Sequence, residues 1–179
     1  MSLSNSQHAQ CCIVGAGPAG MMAALLFARA GVRTVLLEKH ADFLRDFRGD
    51  TIHPSTMEIM AELGMLDAFL QRPHQAVTSL AGNLGDTLVK IADFTHLPAR
   101  CKFLAFMPQW DFLNFLADEG RRYPTFDLRL QTRADDLIWE NGSVVGVRAQ
   151  TPAGPSEFRA PLTIAADGRS SRIRERAGL

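Results

Sequence analysis

The sequence predicts an α/β fold with a mainly parallel sheet, and three observations carry that expectation. Short, almost continuously apolar runs at 10–15, 32–38 and 162–166 read as strands covered on both faces. Helical stretches follow the early strands, as parallel pairing requires. The stretch 135–159 then alternates residue by residue around turns at Asn141-Gly142 and 152–155, the pattern of an antiparallel meander. With 179 residues, 46% of them hydrophobic, the chain is long enough for one domain with a sizeable core.

Each element has a local cause. The first strand, about 10–15, runs into Gly15-Ala16-Gly17-Pro18-Ala19-Gly20 and a helix over about 18–30. Pro18 sits in the first turn, where its missing N–H costs nothing, and Gly31 stops the helix. The second strand, 32–38, ends on Glu38 and Lys39. Residues 40–52 are polar, rich in Arg and Asp, and read as an irregular connection. Ser55 and Glu58 after Pro54 form a capping-box pattern, so a helix is expected from about 56 to Gly64, with a short one over 65–71. Two strands joined through Gly85-Asp86 fill 77–94, and 102–107 is another strand. A helix over 109–122 places Phe112, Phe115 and Leu116 on one face. A third parallel strand follows at 126–130, and 162–166 ends on Asp167-Gly168.

The first strand, turn and helix carry legible chemistry. Gly15 allows the tight turn, Gly17 lets backbone approach a pyrophosphate, and Gly20 lets helix and strand pack closely. The helix N-terminus directs N–H groups and its positive end at that phosphate. Glu38 follows Gly20, the last glycine, by 18 residues, where a carboxylate can accept hydrogen bonds from an adenosine ribose. NAD and FAD both present that adenosine diphosphate, and the turn alone does not choose between them.

Composition excludes other classes. Lys+Arg and Asp+Glu each total 19 and cancel, so neither nucleic acid nor an anionic membrane is an expected partner. No apolar run is long enough for a membrane span. Residues 1–9 contain no Lys or Arg, unlike a secretion signal, and read as a flexible tail. Cys11, Cys12 and Cys101 lack metal or dithiol spacing and read as buried thiols of a cytoplasmic protein. No nucleophile–base arrangement is recognisable, and no metal site is expected.

Four places together resemble the FAD-dependent aromatic hydroxylases, the group A flavoprotein monooxygenases related to p-hydroxybenzoate hydroxylase. They are the glycine turn with Glu38, Arg48-Gly49, Pro108-Gln109 opening a helix, and Ala166-Asp167-Gly168-Arg169-Ser170-Ser171-Arg172. The resemblance covers the chain from Cys12 to Leu179. It implies a Rossmann-like FAD-binding domain with a meander crossover and the beginning of a substrate-domain sheet. In domain terms, 10–75 and 108–179 are two parts of the FAD-binding domain, and 76–107 belongs to the substrate-side sheet.

The resemblance also implies site roles. Gly15, Gly17, Pro18, Ala19 and Gly20 cradle the FAD pyrophosphate, while Glu38, beside Lys39, holds the adenosine ribose. Arg48 and Gln109 hold the middle of the cofactor. Asp167 and Gly168 serve its phosphate and ribityl region, and Ala134 offers a main-chain contact to adenine. NAD(P)H is the co-substrate, binding in a groove, with O2 and an aromatic or similarly electron-rich small molecule as the other reactants. Oxygen transfer then proceeds through a flavin C4a-hydroperoxide. The protein's part is to hold cofactor, exclude water and control reduction. A homodimer is compatible with the pattern. Related chemistries on the same fold are halogenation and the reduction or dehydrogenation of an isoprenoid-like compound. A non-catalytic FAD module and an NAD-dependent dehydrogenase are the readings from other classes. The family's later Gly-Asp motif has no counterpart here, so the chain is expected to be the N-terminal portion of a larger enzyme and inactive by itself.

Overall fold

Apolar strands that need cover on both faces set the frame of this molecule. The computed structural model describes residues 5–44 and 49–179. In chain order the described elements are β1 (Asn5–His8), β2 (Cys11–Val14), α1 (Pro18–Arg29), β3 (Thr34–Leu37), β4 (Thr51–Ile52) and α2 (Pro54–Glu62). Next come α3 (Leu66–Leu70), β5 (Gln75–Val77), β6 (Ser79–Leu84), β7 (Thr87–Asp93), β8 (Leu104–Phe106) and α4 (Gln109–Gly120). The chain closes with β9 (Phe126–Arg129), β10 (Arg133–Glu140), β11 (Ser143–Thr151), β12 (Gly154–Arg159), β13 (Leu162–Ala165) and α5 (Arg172–Arg176). They divide into two compact units, residues 1–43 with 113–179, and residues 44–112.

The first unit is a parallel sheet of order β13-β2-β3-β9 and a second sheet of order β1-β12-β11-β10. In the parallel sheet Ala165, Val14, Leu37 and Arg129 share one register row, so all four strands end at the same level. A core of Cys12, Val14, Val35 and Leu37 meets Ala134, Leu137, Val147, Ala149 and Phe158 of the second sheet. Full burial of each larger side chain contributes about 1.5–3 kcal/mol. Helix α1 buries Met21, Ala24, Leu25 and Ala28. Asn141 and Gly142, both at positive φ, close the β10–β11 hairpin with the backbone twist that two-residue turns favour.

The second unit holds two small antiparallel sheets, β4-β8-β5 and the hairpin β6-β7. Phe69 at its centre is fully buried and meets Phe112 edge-on, with ring centroids 6.1 Å apart.

Three local expectations are corrected. Residues 5–8, expected within a flexible tail, form β1, which pairs in parallel with β12 because that strand otherwise leaves an open edge. The irregular connection contains β4, which pairs with β8. Helix α2 begins at Pro54 with His53 as N-cap and no side-chain cap, so the capping box is not formed. Proline at the first helical position sets φ for the helix two residues early. The Glu58 carboxylate instead accepts the Arg100 backbone N–H at 3.0 Å. The two strands expected over 77–94 are β6 and β7, joined through Gly85-Asp86, and β5 is a further strand ahead of them that pairs with β8.

Candidate functional site

The carboxyl ends of parallel strands are where α/β sheets present ligand-binding loops. Here those ends carry Gly15 after β2, Glu38 after β3 and Ala166-Asp167 after β13. The chain leaves β2 for β3 on one side, while β13 lies on the other. The glycine turn therefore sits at the point where strand order reverses.

Packing explains two of its three glycines. Gly15 has φ +100°, and a Cβ there would lie 2.5 Å from the Ala166 carbonyl oxygen and 2.8 Å from the Asp167 Cα. A Cβ on Gly20 would lie 1.9 Å from the Gly15 carbonyl oxygen. Both positions exclude a side chain because backbone already fills the space. Gly17 is different. It is the α1 N-cap at φ −68°, a conformation open to any residue, and nothing described lies within 4 Å of a Cβ placed there. Pro18 follows at the first helical position, Ala19 is exposed, and no side chain caps this helix or places a carboxylate in its first turn. The result is a helix N-terminus whose N–H groups and positive end face open space.

Glu38 lies beside it and is only 6% exposed. One carboxylate oxygen accepts the Ala16 N–H at 3.0 Å and the other accepts the His40 N–H at 3.0 Å. The carboxylate is thus fixed against the glycine turn, and Lys39 is exposed next to it. The Glu38 carbonyl accepts the Thr132 N–H at 2.7 Å, and the His40 carbonyl accepts the Gln131 N–H at 2.8 Å. This ties β3 to the start of β10, two residues before Ala134. Ala134 is buried and opposes Ala149, next to an irregularity in the β10–β11 pairing.

Asp167 closes the group. Its carboxylate accepts the Ser171 hydroxyl through one oxygen and the Ile173 N–H at 3.2 Å through the other. Gly168, at φ +93°, turns the chain away toward α5, whose N-cap is Ser171. Of the predicted site residues, the first unit brings together Gly15, Gly17, Pro18, Ala19, Gly20, Glu38, Lys39, Ala134, Asp167 and Gly168. Gln109 belongs to the second unit, where a Cβ on Gly49 would lie 2.6 Å from its amide nitrogen. Gly49 has φ +82°, so the Gln109 side chain rests against a glycine that no other residue replaces without strain. Arg48 lies outside the described residues. Ala16 and Thr132, which position Glu38 through backbone N–H groups, leave no side-chain signature in the sequence.

Residues 8–179 match a protein family described as "FAD binding domain". The chain belongs to that family, which settles the choice between FAD and NAD that the glycine turn leaves open. It is 32% identical over 177 residues to 6-methylpretetramide 4-monooxygenase of Streptomyces rimosus, covering 98% of this chain and 42% of that protein. The crystal structure of p-nitrophenol 4-monooxygenase PnpA from Pseudomonas putida DLL-E4 superposes with a TM-score of 0.86 at 25% identity. That likeness covers 98% of this chain and 44% of the other. The myxobacterial chondrochloren halogenase CndH shares the fold, with a TM-score of 0.82 at 24% identity over 95% of this chain and 39% of that one. The chain therefore spans less than half the length of the relatives it matches.

The residues present fit an adenosine diphosphate end. An open, uncapped helix N-terminus suits a pyrophosphate, and a buried, oriented carboxylate beside it suits a ribose.

Proposed function

We propose that this chain is the FAD-holding part of an NAD(P)H-dependent flavoprotein monooxygenase that hydroxylates an aromatic or similarly electron-rich small molecule. The observation that carries the cofactor role is Gly17, a glycine the fold itself does not require, at the mouth of an uncapped helix. The monooxygenase class is supported by the 32% identity to 6-methylpretetramide 4-monooxygenase.

When bound, FAD supplies the redox and oxygen-transfer chemistry. The chain's own residues bind and orient it. Gly15, Gly17, Pro18, Ala19 and Gly20 give the pyrophosphate a backbone cradle, and Glu38 accepts the ribose hydroxyls. Asp167 and Gly168 hold the phosphate and ribityl region, and the backbone around Ala134 meets adenine. Gln109 holds the middle of the cofactor in this reading. NAD(P)H is the reductant in this reading. A cytoplasmic location is supported by three buried, unpaired cysteines.

The test is a titration of the 179-residue chain with FAD, followed by flavin absorbance and fluorescence. Saturable binding, with competition by ADP, is the expected result. Absence of binding by the chain overturns the cofactor role of these residues. NAD(P)H oxidation stimulated by phenols is expected only with the longer protein, and turnover by this chain alone would contradict that division of labour.

A further inference from the structure

We propose that Ser171 is a positioning residue for the cofactor site, acting by holding the Asp167 carboxylate in place. The inference deepens the reading that Asp167 serves FAD and rests on it.

Ser171 is 4% exposed, and its hydroxyl is used in both directions. It donates to one oxygen of Asp167 and accepts the Arg174 N–H at 3.0 Å. A hydroxyl has one proton to give, and here that proton goes to the carboxylate. The other Asp167 oxygen accepts the Ile173 N–H at 3.2 Å. Both oxygens therefore bond to the first turn of α5, each with acceptor capacity left for a ligand.

That helix is itself anchored. Ile173 is buried in the core with Leu137, and the Arg172 guanidinium bonds to Asp135 of β10 at 2.8 Å. At the opposite end of the relay, a Cβ on Gly15 would lie 2.8 Å from the Asp167 Cα, so Asp167 backbone touches the glycine turn. The path from core to cofactor cradle runs from Ile173 and Ser171 through the carboxylate to the 166–167 backbone and Gly15. Removing the Ser171 hydroxyl leaves the carboxylate with one of its two tethers. It then rotates, and the contacts it offers the phosphate and ribityl region lose their fixed geometry.

Capping of α5 is a separate role of the same hydroxyl, and three variants separate the two. Ser171→Ala removes both roles. Ser171→Thr keeps both. Ser171→Asp caps the helix as well as Ser does, yet has no proton to donate and repels Asp167. The experiment measures FAD and AMP dissociation constants by calorimetry for each variant, with thermal midpoints alongside. The expected result is about tenfold weaker FAD binding for Ser171→Ala and Ser171→Asp, with Ser171→Thr close to the parent. AMP, held by the glycine turn and Glu38, is expected to bind all four proteins equally.

A Ser171→Asp variant that binds FAD like the parent reduces Ser171 to a helix cap and overturns the proposal. So does an equal loss of FAD and AMP affinity, which marks general damage. Failure of the parent chain to bind FAD overturns instead the proposed function on which the inference rests.

Discussion

At the scale of single residues, the glycine turn separates what the fold needs from what a ligand needs. Gly20 cannot accept a methyl group, because its Cβ would sit 1.9 Å from a carbonyl oxygen. Gly20→Ala is expected to destabilise the chain by more than about 3 kcal/mol, seen as a large fall in urea midpoint. Gly17→Ala meets no atom and needs no unusual φ. It is expected to lower the midpoint by no more than about 1 kcal/mol equivalent, the cost of alanine at an N-cap, while weakening FAD at least about tenfold, since in the proposed reading the methyl group occupies the path of the pyrophosphate. A Gly17→Ala protein that binds FAD normally would mean that phosphate approaches elsewhere. Glu38 gives the complementary case. Hydrogen bonds to a charged group are worth about 1.5–3 kcal/mol, so Glu38→Ala is expected to cost at least about tenfold in FAD affinity. It also strands the Ala16 and His40 N–H groups, so stability falls further than for Gly17→Ala.

At the scale of elements, the strands were readable because a strand buried on both faces declares itself locally, as β2 and β3 do with four buried residues each. What escaped was set by distant partners. Strand β1 exists because β12, about 150 residues away, offers an edge. The α2 start moved because Pro54 and His53 outcompeted Ser55, a choice between two adequate local signals. The site divides in the same way: Gly15, Gly17, Gly20 and Glu38 carry their meaning in spacing, but the hold of Ala16 on Glu38 is made by backbone and has no sequence mark. Two elements invite tests. Strand β13 buries the Thr163 hydroxyl with no partner among the described residues. Thr163→Val is therefore expected to raise stability by about 1 kcal/mol, read as a higher urea midpoint. In β2, burial, reinforced by Cys11, pushes the Cys12 thiol up to about 12. The folded chain thus keeps this proton while the unfolded chain begins to lose it near pH 8.5. Stability is unaffected by this group below that pH and falls as pH rises toward 12, because the unfolded state gains charge first. Urea midpoints between pH 7.5 and 10 are expected to decline, and Cys12→Ala is expected to flatten that decline.

At the scale of the whole molecule, charge and apolar exposure act together. The formal charge is zero at pH 7, so copies of the chain do not repel one another there. The β6–β7 hairpin meanwhile exposes Leu84 at 77%, Leu88 at 71% and Ile91 at 71%. Leu84 and Ile91 lie on the same face of the ribbon. A Cβ on Gly82, two residues before Leu84, would come within 2.8 Å of the Ile91 side chain. Single exposed apolar residues are ordinary, but a run of them on one two-stranded ribbon is an adhesive strip. The alternation in 77–94 announced the strands, and composition announced the cancelled charge. Neither revealed that this face stays open, because burial depends on what packs against a strand and not on the strand itself. The chain is therefore expected to be least soluble near pH 7 and to recover on either side of it. Leu84→Glu combined with Ile91→Glu breaks the strip and adds two like charges, and added carboxylates improve solubility more than added cations do. The double variant is expected to raise solubility at pH 7 while moving the urea midpoint by no more than about 0.5 kcal/mol equivalent, as for other surface changes. Precipitation by polyethylene glycol across pH 5–9 measures both effects. A solubility curve unchanged by the double variant would assign self-association to another surface, and a parent curve without a minimum near pH 7 would remove the role given to net charge.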